Sequence, residues 1–345
     1  MNKDMPKKRI DCSLFLLLPL LLVNFQLTCH SQLPGFKRIK VATEIHPGQH
    51  VRQVGSDMEK GEVIFDSGKL LEAVDVGMLA SLGIRSVKVF KKPLAAFMST
   101  GDEVVDIQSS KEKGKHQIFD ANRPILCAAA QPYCERVIDL GIAGDTQERL
   151  ESLFQKAMAD KVDVLVTSGG VSMGDSDLIK PILESKGKVH FGKVKMKPGK
   201  PLTFATIEEG DHKLLVFALP GNPVSSFVTF NLIVIPALRK LSGWTSPHST
   251  RLQVRTGGPI EMDPKRPEYH RAALSWSKPG QFSVLENPSP SDSENAVLIA
   301  HSTGNQRSSR LLSLRNAQAL LEIPQGSGIV PAGTLLSAIL ISPSL

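Results

Sequence analysis

The residues best suited to chemistry lie in two stretches of the chain, 164–201 and 219–225. In the first stretch, an apolar β-branched run ends in a Ser-Gly-Gly turn at 168–170, and a short acidic segment and an amphipathic pattern follow. A strand–turn–helix junction of this kind directs backbone N–H groups and a helix dipole toward an anion. Ser168, Gly169 and Gly170 are therefore candidate anion ligands.

Positive charge follows in the segment KMKPGKP at 195–201. Its three lysines lie on a backbone stiffened by Pro198 and Pro201, as the binding of a phosphate or an oxyanion requires. In the acidic segment, Asp175 and Asp177 are of the residue type that holds a divalent metal against a phosphate. Both groups also have ordinary explanations, because Asp177 alone reads as a helix N-cap and the lysines as surface residues.

Further polar residues follow other apolar runs. Asp102 and Glu103 belong to the segment STGDE, Asp145 follows another run, and Asn222 and Ser225 belong to LPGNPVS. Several carboxylates facing a lysine cluster suit Mg²⁺-assisted phosphoryl chemistry. Taken singly, each residue has a simpler explanation: Glu103 as a solvated loop residue, Asn222 as part of a turn, and Ser225 as a helix cap.

The elements that must position these residues alternate between strands and helices from Pro93 onward. Apolar runs predict strands at 94–98, 137–140, 162–167, 189–194 and 214–219, and other patterns predict helices at 122–130, 145–160, 177–185 and 224–241. Asp120 is the predicted cap of the first helix, and Asp145 with Glu148 the predicted capping box of the second. The alternation predicts an α/β fold with a mostly parallel, three-layer sheet. Because ligands of such sheets bind beyond the carboxyl ends of the strands, the motifs are expected in one crevice.

The segments before and after this region lack the regular alternation of strands and helices. Residues 38–92 contain short runs, which predict strands at Ile64-Phe65 and Val87–Phe90 and a helix at 73–82. Residues 247–345 are Pro- and Gly-punctuated runs, which predict a small β domain with a surface loop at 279–295. Taken by themselves, the polar runs around His270 and at 302–310 in this domain read as solvated loops.

The composition restricts the class of partner. A net charge of +7 over 345 residues favours anionic partners, but aromatic residues make up only 5%, which disfavours the stacking platforms of single-stranded nucleic-acid binders. No helix-turn-helix, zinc-finger or RNP pattern occurs, so a small anionic ligand is favoured over nucleic acid. The four cysteines show no C-x-x-C spacing and are expected to be reduced thiols.

The amino terminus places the basic residues Lys7–Arg9 before the apolar run Leu14–Val23. This is the order of a secretory signal, and the run is too short to span a bilayer as a helix. No A-x-A-type cleavage site follows it. Residues 1–37 are therefore read either as a signal-like segment or as an aberrant or alternative first segment.

Six motifs, in this order and spacing, resemble those of the molybdenum insertases, the family of bacterial MoeA and of the E domains of gephyrin and of the plant molybdenum-cofactor protein. The motifs are STGDE, TSGGVSMGDSD, MKPGKP, LPGNPVS, RPEYHR and STGNQRSSRLLS. The resemblance covers residues 47–343, and the segment GKPLTFA together with 242–248 is most similar to the plant form.

The resemblance implies an activity and its ligands. The family inserts molybdate into the dithiolene of molybdopterin; its substrate is adenylylated molybdopterin, and Mg²⁺-dependent cleavage releases AMP. A molybdopterin adenylyltransferase of the G-domain type is the implied partner, and the oxygen-sensitive dithiolene implies a cytosolic location. The alternative is the secretory pathway, if residues 1–30 are a genuine signal peptide. The implied domains are a remnant of the family's N-terminal and linker region at 38–92, a MoeA- and MogA-like sheet domain at 93–246 and a C-terminal β domain at 247–345.

Carried over motif by motif, the resemblance assigns three groups of site residues. The predicted catalytic residues are Asp177, Ser172, Asp145 and Glu103, and Asp177 and Asp145 are also the predicted metal ligands. The predicted nucleotide- and molybdopterin-binding residues are Ser168, Gly169, Gly170, Gly174, Lys197, Pro198, Gly199, Lys200, Pro201, Asn222 and Ser225. The predicted molybdate contacts are Arg271, Ser302 and Lys200.

Two departures from the family pattern bear on activity. Most of the family's extended, dimer-forming N-terminal region does not precede residue 47, and Phe119 stands where the family usually has an arginine. The second change removes one cation able to contact phosphate. We therefore expect an N-terminally truncated, largely monomeric chain of impaired activity. The alternative is an inactive or scaffold-type fragment.

Overall fold

The computed structural model describes residues 46–49, 51–109, 112–171, 178–277 and 296–342. The chain forms two compact units, with the division between Lys88 and Val89. In the first unit, helix α1 (Ala73–Ser81) ends at Gly83, whose φ of +71° is the left-handed conformation that glycine favours. This helix confirms the prediction for 73–82.

The predicted strands at Ile64-Phe65 and Val87–Phe90 are wrong. Neither segment pairs with a strand among the described residues, and Val89 and Phe90 are exposed. A short extended segment needs a neighbouring strand for its backbone hydrogen bonds, which two apolar residues in sequence do not guarantee.

The second unit begins with a six-stranded sheet in the order β4-β1-β5-β8-β7-β6. The first four strands in that order are parallel, whereas β7 and β6 run antiparallel to their neighbours, which confirms the mostly parallel sheet. Strand β7 is absent from the predicted elements. The strands up to β8 are β1 (Leu94–Ser99), β2 (Val104–Val105), β3 (Ile118–Phe119), β4 (Arg136–Ile142), β5 (Val164–Ser168), β6 (Lys188–Gly192), β7 (Thr203–Glu209) and β8 (His212–Leu219).

Helices cover both faces of this sheet. They are α2 (Asn122–Ala130), α3 (Gln147–Ala159), α4 (Ile179–Lys186), α5 (Pro223–Thr229) and α6 (Ile235–Leu241), with a 3₁₀ turn at Gln131–Tyr133. On one face, Met98 of β1 packs in a buried cluster with Phe154 of α3. On the other face, Phe97 packs against Phe230, with ring centroids 6.2 Å apart. The alternation of neighbouring β1 residues between the two clusters places one hydrophobic core on each side of the sheet.

The helical segment Pro223–Leu241 is continuous but not uniform. A π-helical turn at Phe230–Val234 joins α5 to α6, beside Pro236, which lacks the N–H that a regular helical turn would use. The segment is long and apolar enough to cross a membrane by length and composition, but most of it is buried in the protein. Its buried residues Val234 and Leu238 belong to the sheet core, so it is a core helix.

Two predicted helix starts have different outcomes. The N-cap residue of α2 is Ala121, but the carboxylate of Asp120 just before it accepts the first-turn N–H of Arg123 at 3.1 Å, so Asp120 does satisfy a helix N-terminus. The capping box of Asp145 and Glu148 is wrong, because Thr146 is the N-cap of α3 and makes no side-chain cap bond. The Asp145 carboxylate instead accepts the backbone N–H of Asp102, from the end of another strand.

The C-terminal part of the second unit is a closed five-stranded barrel in the order β11-β12-β9-β15-β13, which confirms the small β domain. The interpretation of the run around His270 as a solvated loop is wrong, since His270 and Arg271 are buried residues of a barrel strand. The predicted surface loop at 279–295 lies outside the described residues. The strands are β9 (Arg251–Thr256), β10 (Ile260–Glu261), β11 (Glu268–Trp276), β12 (Leu298–Ser302), β13 (Ala319–Ile323), β14 (Ile329–Val330) and β15 (Leu335–Leu340), with a 3₁₀ turn at Leu311–Leu314.

The two cysteines in the described residues are unpaired thiols. Burial raises the pKa of Cys127 to about 12 and that of Cys134 to about 11, so both stay protonated at neutral pH. For these two cysteines, the finding agrees with the expectation of reduced thiols.

Candidate active site

The carboxyl ends of β1, β5 and β8 meet at one edge of the sheet. The N–H of Thr100 donates to the carbonyl of Ser168 at 2.9 Å, and the N–H of Gly169 donates to the carbonyl of Leu219 at 3.0 Å. Gly169 has a φ of +95°, and a Cβ on it would lie 2.7 Å from the hydroxyl oxygen of Thr100. Glycine is therefore required where the three strand ends converge, and the structure brings the three motif-bearing turns together as expected.

Asn122, the first residue of α2, bridges two of these turns and is absent from the predicted site. Its side-chain amide Nδ2 donates to the hydroxyl of Ser168 and to the carbonyl of Gly221, both at 2.7 Å. Because Gly221 offers only an acceptor there, the amide nitrogen is fixed in this orientation and both of its hydrogens are used. A single side chain thus holds the β5 and β8 turns at a fixed spacing.

A pair of carboxylates lies at the same sheet edge, after β1 and β4. The backbone N–H of Asp102 donates to Oδ2 of Asp145, and the backbone N–H of Asp145 donates to Oδ1 of Asp102, both at 3.2 Å. Gly144, at φ +69°, leaves the space for this pair, since a Cβ there would lie 2.8 Å from Oδ1 of Asp102. Glu103 is exposed, and its carboxylate lies against the backbone of Gly101.

The second unit contains a basic cavity of about 450 Å³. It lies where the loop after β6 meets the start of α5 and two segments of the barrel domain. Asn222 is the N-cap residue of α5, and Ser225 lies in the first turn, so the reading of Ser225 as the cap is wrong. The cavity is lined by Lys197, Pro198, Gly199, Lys200, Pro201, Asn222, Ser225, Arg266, Gln306, Arg307, Ser308 and Ser309.

The cations of the cavity differ in how far they are neutralised. Lys197 Nζ lies 2.8 Å from Glu268 and 3.4 Å from Asp263. Burial acts to lower the pKa of Lys197, but these two carboxylates outweigh it and raise the pKa. Lys200 and Arg307 have no carboxylate partner among the described residues, so they are the charges free to attract an anion.

Arg271 does not line this cavity but lies behind the lining residue Arg307 and hydrogen-bonds to its backbone. Its side chain is fully buried, and Nη2 donates to the Ser313 hydroxyl at 3.2 Å and to the Arg307 carbonyl at 3.4 Å. Nη1 has no partner within the described residues. Burial lowers the pKa of Arg271 to about 10, against the opposing charge of Glu268, so the guanidinium remains charged at neutral pH.

Ser302 lies at the end of β12, exposed, with its hydroxyl 2.7 Å from Nε2 of His270. It belongs to the barrel surface and not to the lining of the cavity. The buried Glu268 and His270 behind it are absent from the predicted site, although RPEYHR is a predicted motif. No periodicity in the sequence shows that their side chains turn inward.

The structure therefore gathers the predicted residues in three places. Ser168, Gly169 and Gly170 lie at the strand ends, Asp145 and Glu103 beside them, and the cavity holds Lys197, Pro198, Gly199, Lys200, Pro201, Asn222 and Ser225. Arg271 and Ser302 lie in the barrel domain. Ser172, Gly174 and Asp177 lie outside the described residues, so their predicted roles stay predictions.

Three family models match the chain in succession. Residues 26–83 match the MoeA N-terminal region (domain I and II), residues 96–240 match the family described as "Probable molybdopterin binding domain", and residues 288–341 match the MoeA C-terminal region (domain IV). The second of these matches spans the sheet with its strand-end turns, and the third spans the barrel strands from β12 onward.

Curated relatives carry the same similarity. Gephyrin of Dictyostelium discoideum is 38% identical over 341 aligned residues, which cover 91% of this chain and 45% of that protein. Molybdopterin molybdenumtransferase of Haemophilus influenzae is 40% identical over 205 residues, which cover 58% of this chain and 49% of that protein. The chain thus spans about half the length of these relatives.

A solved structure has the same architecture. The crystal structure of a molybdopterin biosynthesis MoeA protein from Pyrococcus horikosii superposes with a TM-score of 0.65 at 28% identity. The match covers 84% of this chain and 64% of that one. It confirms the expected fold, a mostly parallel sheet domain followed by a small β domain.

Proposed function

The chain belongs to the family of MoeA and gephyrin, whose members act in molybdenum-cofactor biosynthesis, and we propose that it is a molybdopterin molybdenumtransferase. The substrates are adenylylated molybdopterin and molybdate, and the reaction releases AMP. The chain works in the cytosol, downstream of a molybdopterin adenylyltransferase.

The observation that carries this proposal is the pairing of the basic cavity with the strand-end turns in one unit. The cavity offers Lys200 and Arg307, both without carboxylate partners in the described part of the chain, to a ligand phosphate. The turn at 168–170 follows the carboxyl end of β5, beside the ends of β1 and β8, which is where parallel sheets bind their ligands. A substrate with phosphates at one end and an oxyanion to be transferred needs both kinds of site.

The carboxylate pair fits the Mg²⁺ that this reaction requires. Asp102 and Asp145 each commit one oxygen to a backbone N–H, which leaves one oxygen of each for a cation. Mg²⁺ is commonly held by one or two carboxylates together with substrate phosphates and water, so the absence of a third such ligand from the described residues does not argue against the fit. When bound, Mg²⁺ supplies neutralisation of charge on the phosphates that are cleaved. Asp177 is the proposed further ligand.

The protein's own side chains position the ligands. Lys200 binds a phosphate oxygen, and Asn122 keeps the Ser168 and Gly221 turns in register around the nucleotide. Arg271 and Ser302 contribute to the site from which molybdate is transferred. Arg271 acts there as a buried positive charge whose Nη1 has no hydrogen-bond partner in the described part of the chain.

Calorimetric titration of the full chain with AMP, with and without Mg²⁺, tests the proposal. We expect Mg²⁺ to strengthen AMP binding. Asp145→Asn should remove about 2–4 kcal/mol of this Mg²⁺-dependent binding free energy, which is the typical cost of losing one electrostatic stabiliser in an active site. The asparagine keeps the acceptor for the Asp102 N–H but loses the charge. The control is Asp211→Asn, at an exposed turn between β7 and β8. A folded chain that binds no AMP in either condition would refute the proposed activity.

A further inference from the structure

Four side chains form a hydrogen-bonded series from the barrel surface to the basic cavity. Nε2 of His270 lies 2.7 Å from the Ser302 hydroxyl, and Nδ1 of His270 lies 3.1 Å from Oε1 of Glu268. Oε2 of Glu268 then lies 2.8 Å from Nζ of Lys197. His270 is 7% and Glu268 4% exposed, so water does not replace these partners.

The identities of the partners determine which atom donates at each step. Burial acts to raise the pKa of Glu268, but hydrogen bonds from His270 and Lys197 outweigh it and hold the pKa below its usual value. Glu268 is therefore an ionised acceptor at neutral pH. A neutral His270 must then carry its hydrogen on Nδ1, which leaves Nε2 as an acceptor.

Ser302 is consequently held as a donor to the histidine. Its single hydrogen points to Nε2 of His270, while its oxygen accepts the N–H of Gly304 at 3.2 Å. In this state Ser302 has no hydrogen to offer an oxyanion, although the proposed function makes it an oxyanion contact. As long as His270 is neutral, the Ser302 hydroxyl therefore donates to the histidine and cannot donate to an oxyanion.

Protonation of His270 reverses the direction of this hydrogen bond. An imidazolium donates from both nitrogens, so Nε2–H donates to the Ser302 oxygen and the serine hydrogen is released. Among the described residues, the other acceptor near that hydrogen is the Gly304 carbonyl at 3.5 Å, a weak partner that a ligand oxygen can displace.

We propose that His270 is a positioning residue that couples oxyanion binding at Ser302 to the uptake of one proton by the protein. The inference rests on the proposed function, because it adds a proton to the oxyanion contact assigned there. It assigns to His270 the role of setting the direction of the Ser302 hydrogen bond.

The charges around His270 permit this uptake. Glu268 on the same strand faces Nδ1, and Lys197 approaches Glu268 from the loop after β6, with Asp263 beside it. On the neighbouring strand β13, the residue opposite His270 is the apolar Leu321. Arg271, the buried residue that follows His270 in β11, adds one positive charge, and its guanidinium is hydrogen-bonded to the Ser313 hydroxyl. An imidazolium would thus contact an ionised carboxylate at one nitrogen and the bound oxyanion, through Ser302, at the other.

The test is calorimetric titration of the full chain with sodium molybdate, in buffers of different ionisation enthalpy, between about pH 6.5 and pH 8.5. We expect up to about one proton to be taken up per molybdate bound, and the affinity to fall by up to about tenfold per pH unit as pH rises. Wild-type binding that takes up no proton at any pH overturns the inference and leaves the proposed oxyanion contact standing. The absence of any molybdate binding overturns both.

Two variants make the assignment specific. His270→Gln places an amide that can donate to Ser302 at every pH, so we expect binding without proton uptake and without pH dependence. His301→Gln is the matched control, because His301 is an exposed histidine of β12 that contacts Ser275 instead, and it should keep the wild-type proton uptake. Proton uptake retained in His270→Gln overturns the proposal. If that variant does not fold by circular dichroism, the wild-type proton count in different buffers decides alone.

Discussion

Lys197 and Lys200 lie three positions apart at the same cavity, yet we expect the first to contribute mainly to stability and the second to ligand binding. Lys200 is exposed and has no carboxylate partner in the described ranges, whereas Lys197 is held by Glu268 and Asp263. Replacing Lys200 by alanine should therefore remove ligand attraction and little else. We expect stability to change by no more than about 0.5 kcal/mol, and AMP affinity to fall about 10- to 100-fold, or about 1.4–2.8 kcal/mol.

Replacing Lys197 by alanine should mainly lower stability. Removing one partner of a fully buried ion pair costs about 3–5 kcal/mol, because the other charge remains buried. The Lys197 side chain is 33% exposed, and Glu268 keeps its bond to His270, so solvent screening and the remaining partner reduce this value. We expect a loss of about 1–3 kcal/mol in the free energy of unfolding, with a smaller loss of AMP affinity than in Lys200→Ala.

Urea unfolding and calorimetry with AMP, applied to the same preparations, separate the two roles. Lys240→Ala is the control, since Lys240 is an exposed lysine in the last turn of α6 that does not line the cavity. The reasoning is refuted if Lys197→Ala unfolds at the wild-type urea concentration and loses most of its AMP affinity. Wild-type AMP affinity in Lys200→Ala would refute it equally.

Three further predictions follow from buried contacts. Arg123→Met should destabilise the protein by about 3–5 kcal/mol in urea unfolding, because it leaves the 3%-exposed Asp120 carboxylate unpaired, and adding Asp120→Asn should restore a part of this. Gly169→Ala should lower the thermal midpoint and AMP affinity together, since the left-handed backbone alone costs about 1–3 kcal/mol and the new Cβ meets Thr100. The pKa of Glu268 is lower in the folded state, so its contribution is present above its unfolded pKa and is lost as pH falls through the folded value. On acidification from about pH 7 to pH 3, the free energy of unfolding measured in urea should therefore fall less for Glu268→Gln than for the wild-type protein.

The parts of the fold that could be read from sequence depend on neighbouring residues. A β-branched run followed by two glycines forms a strand and a turn at 164–170 because both preferences act within a few residues. The same holds for α1 with its terminal glycine and for Asp120, whose carboxylate accepts a first-turn N–H of a helix that begins two residues later. The two predicted strands that fail, at 64–65 and 87–90, fail because a strand needs a partner that local sequence does not specify.

The site was predictable to the same extent. The turn glycines, the lysine loop and the start of α5 are short motifs, and the structure brings them to one sheet edge and one cavity. Asn122 could not be predicted as a site residue, because its role depends on a hydrogen bond to the carbonyl of Gly221, 99 positions away in the chain. Asp145 was assigned to the helix that follows it, whereas its carboxylate bonds to Asp102 across 43 positions.

By itself, the sequence determined the strand-end turns, the helices of the sheet domain and the presence of a C-terminal β domain, and it identified the family through motifs that are local. Only the tertiary structure decided which charges of the site are paired. Among the described residues, Lys197 pairs with Glu268 and Lys200 with no carboxylate, Nη1 of the buried Arg271 has no partner, and the Ser302 hydroxyl contacts His270. The physical reason is the range of the interactions. Backbone preferences act over a few residues, whereas the charge and hydrogen-bond direction of a side chain depend on desolvation and on partners that only folding brings within about 3 Å.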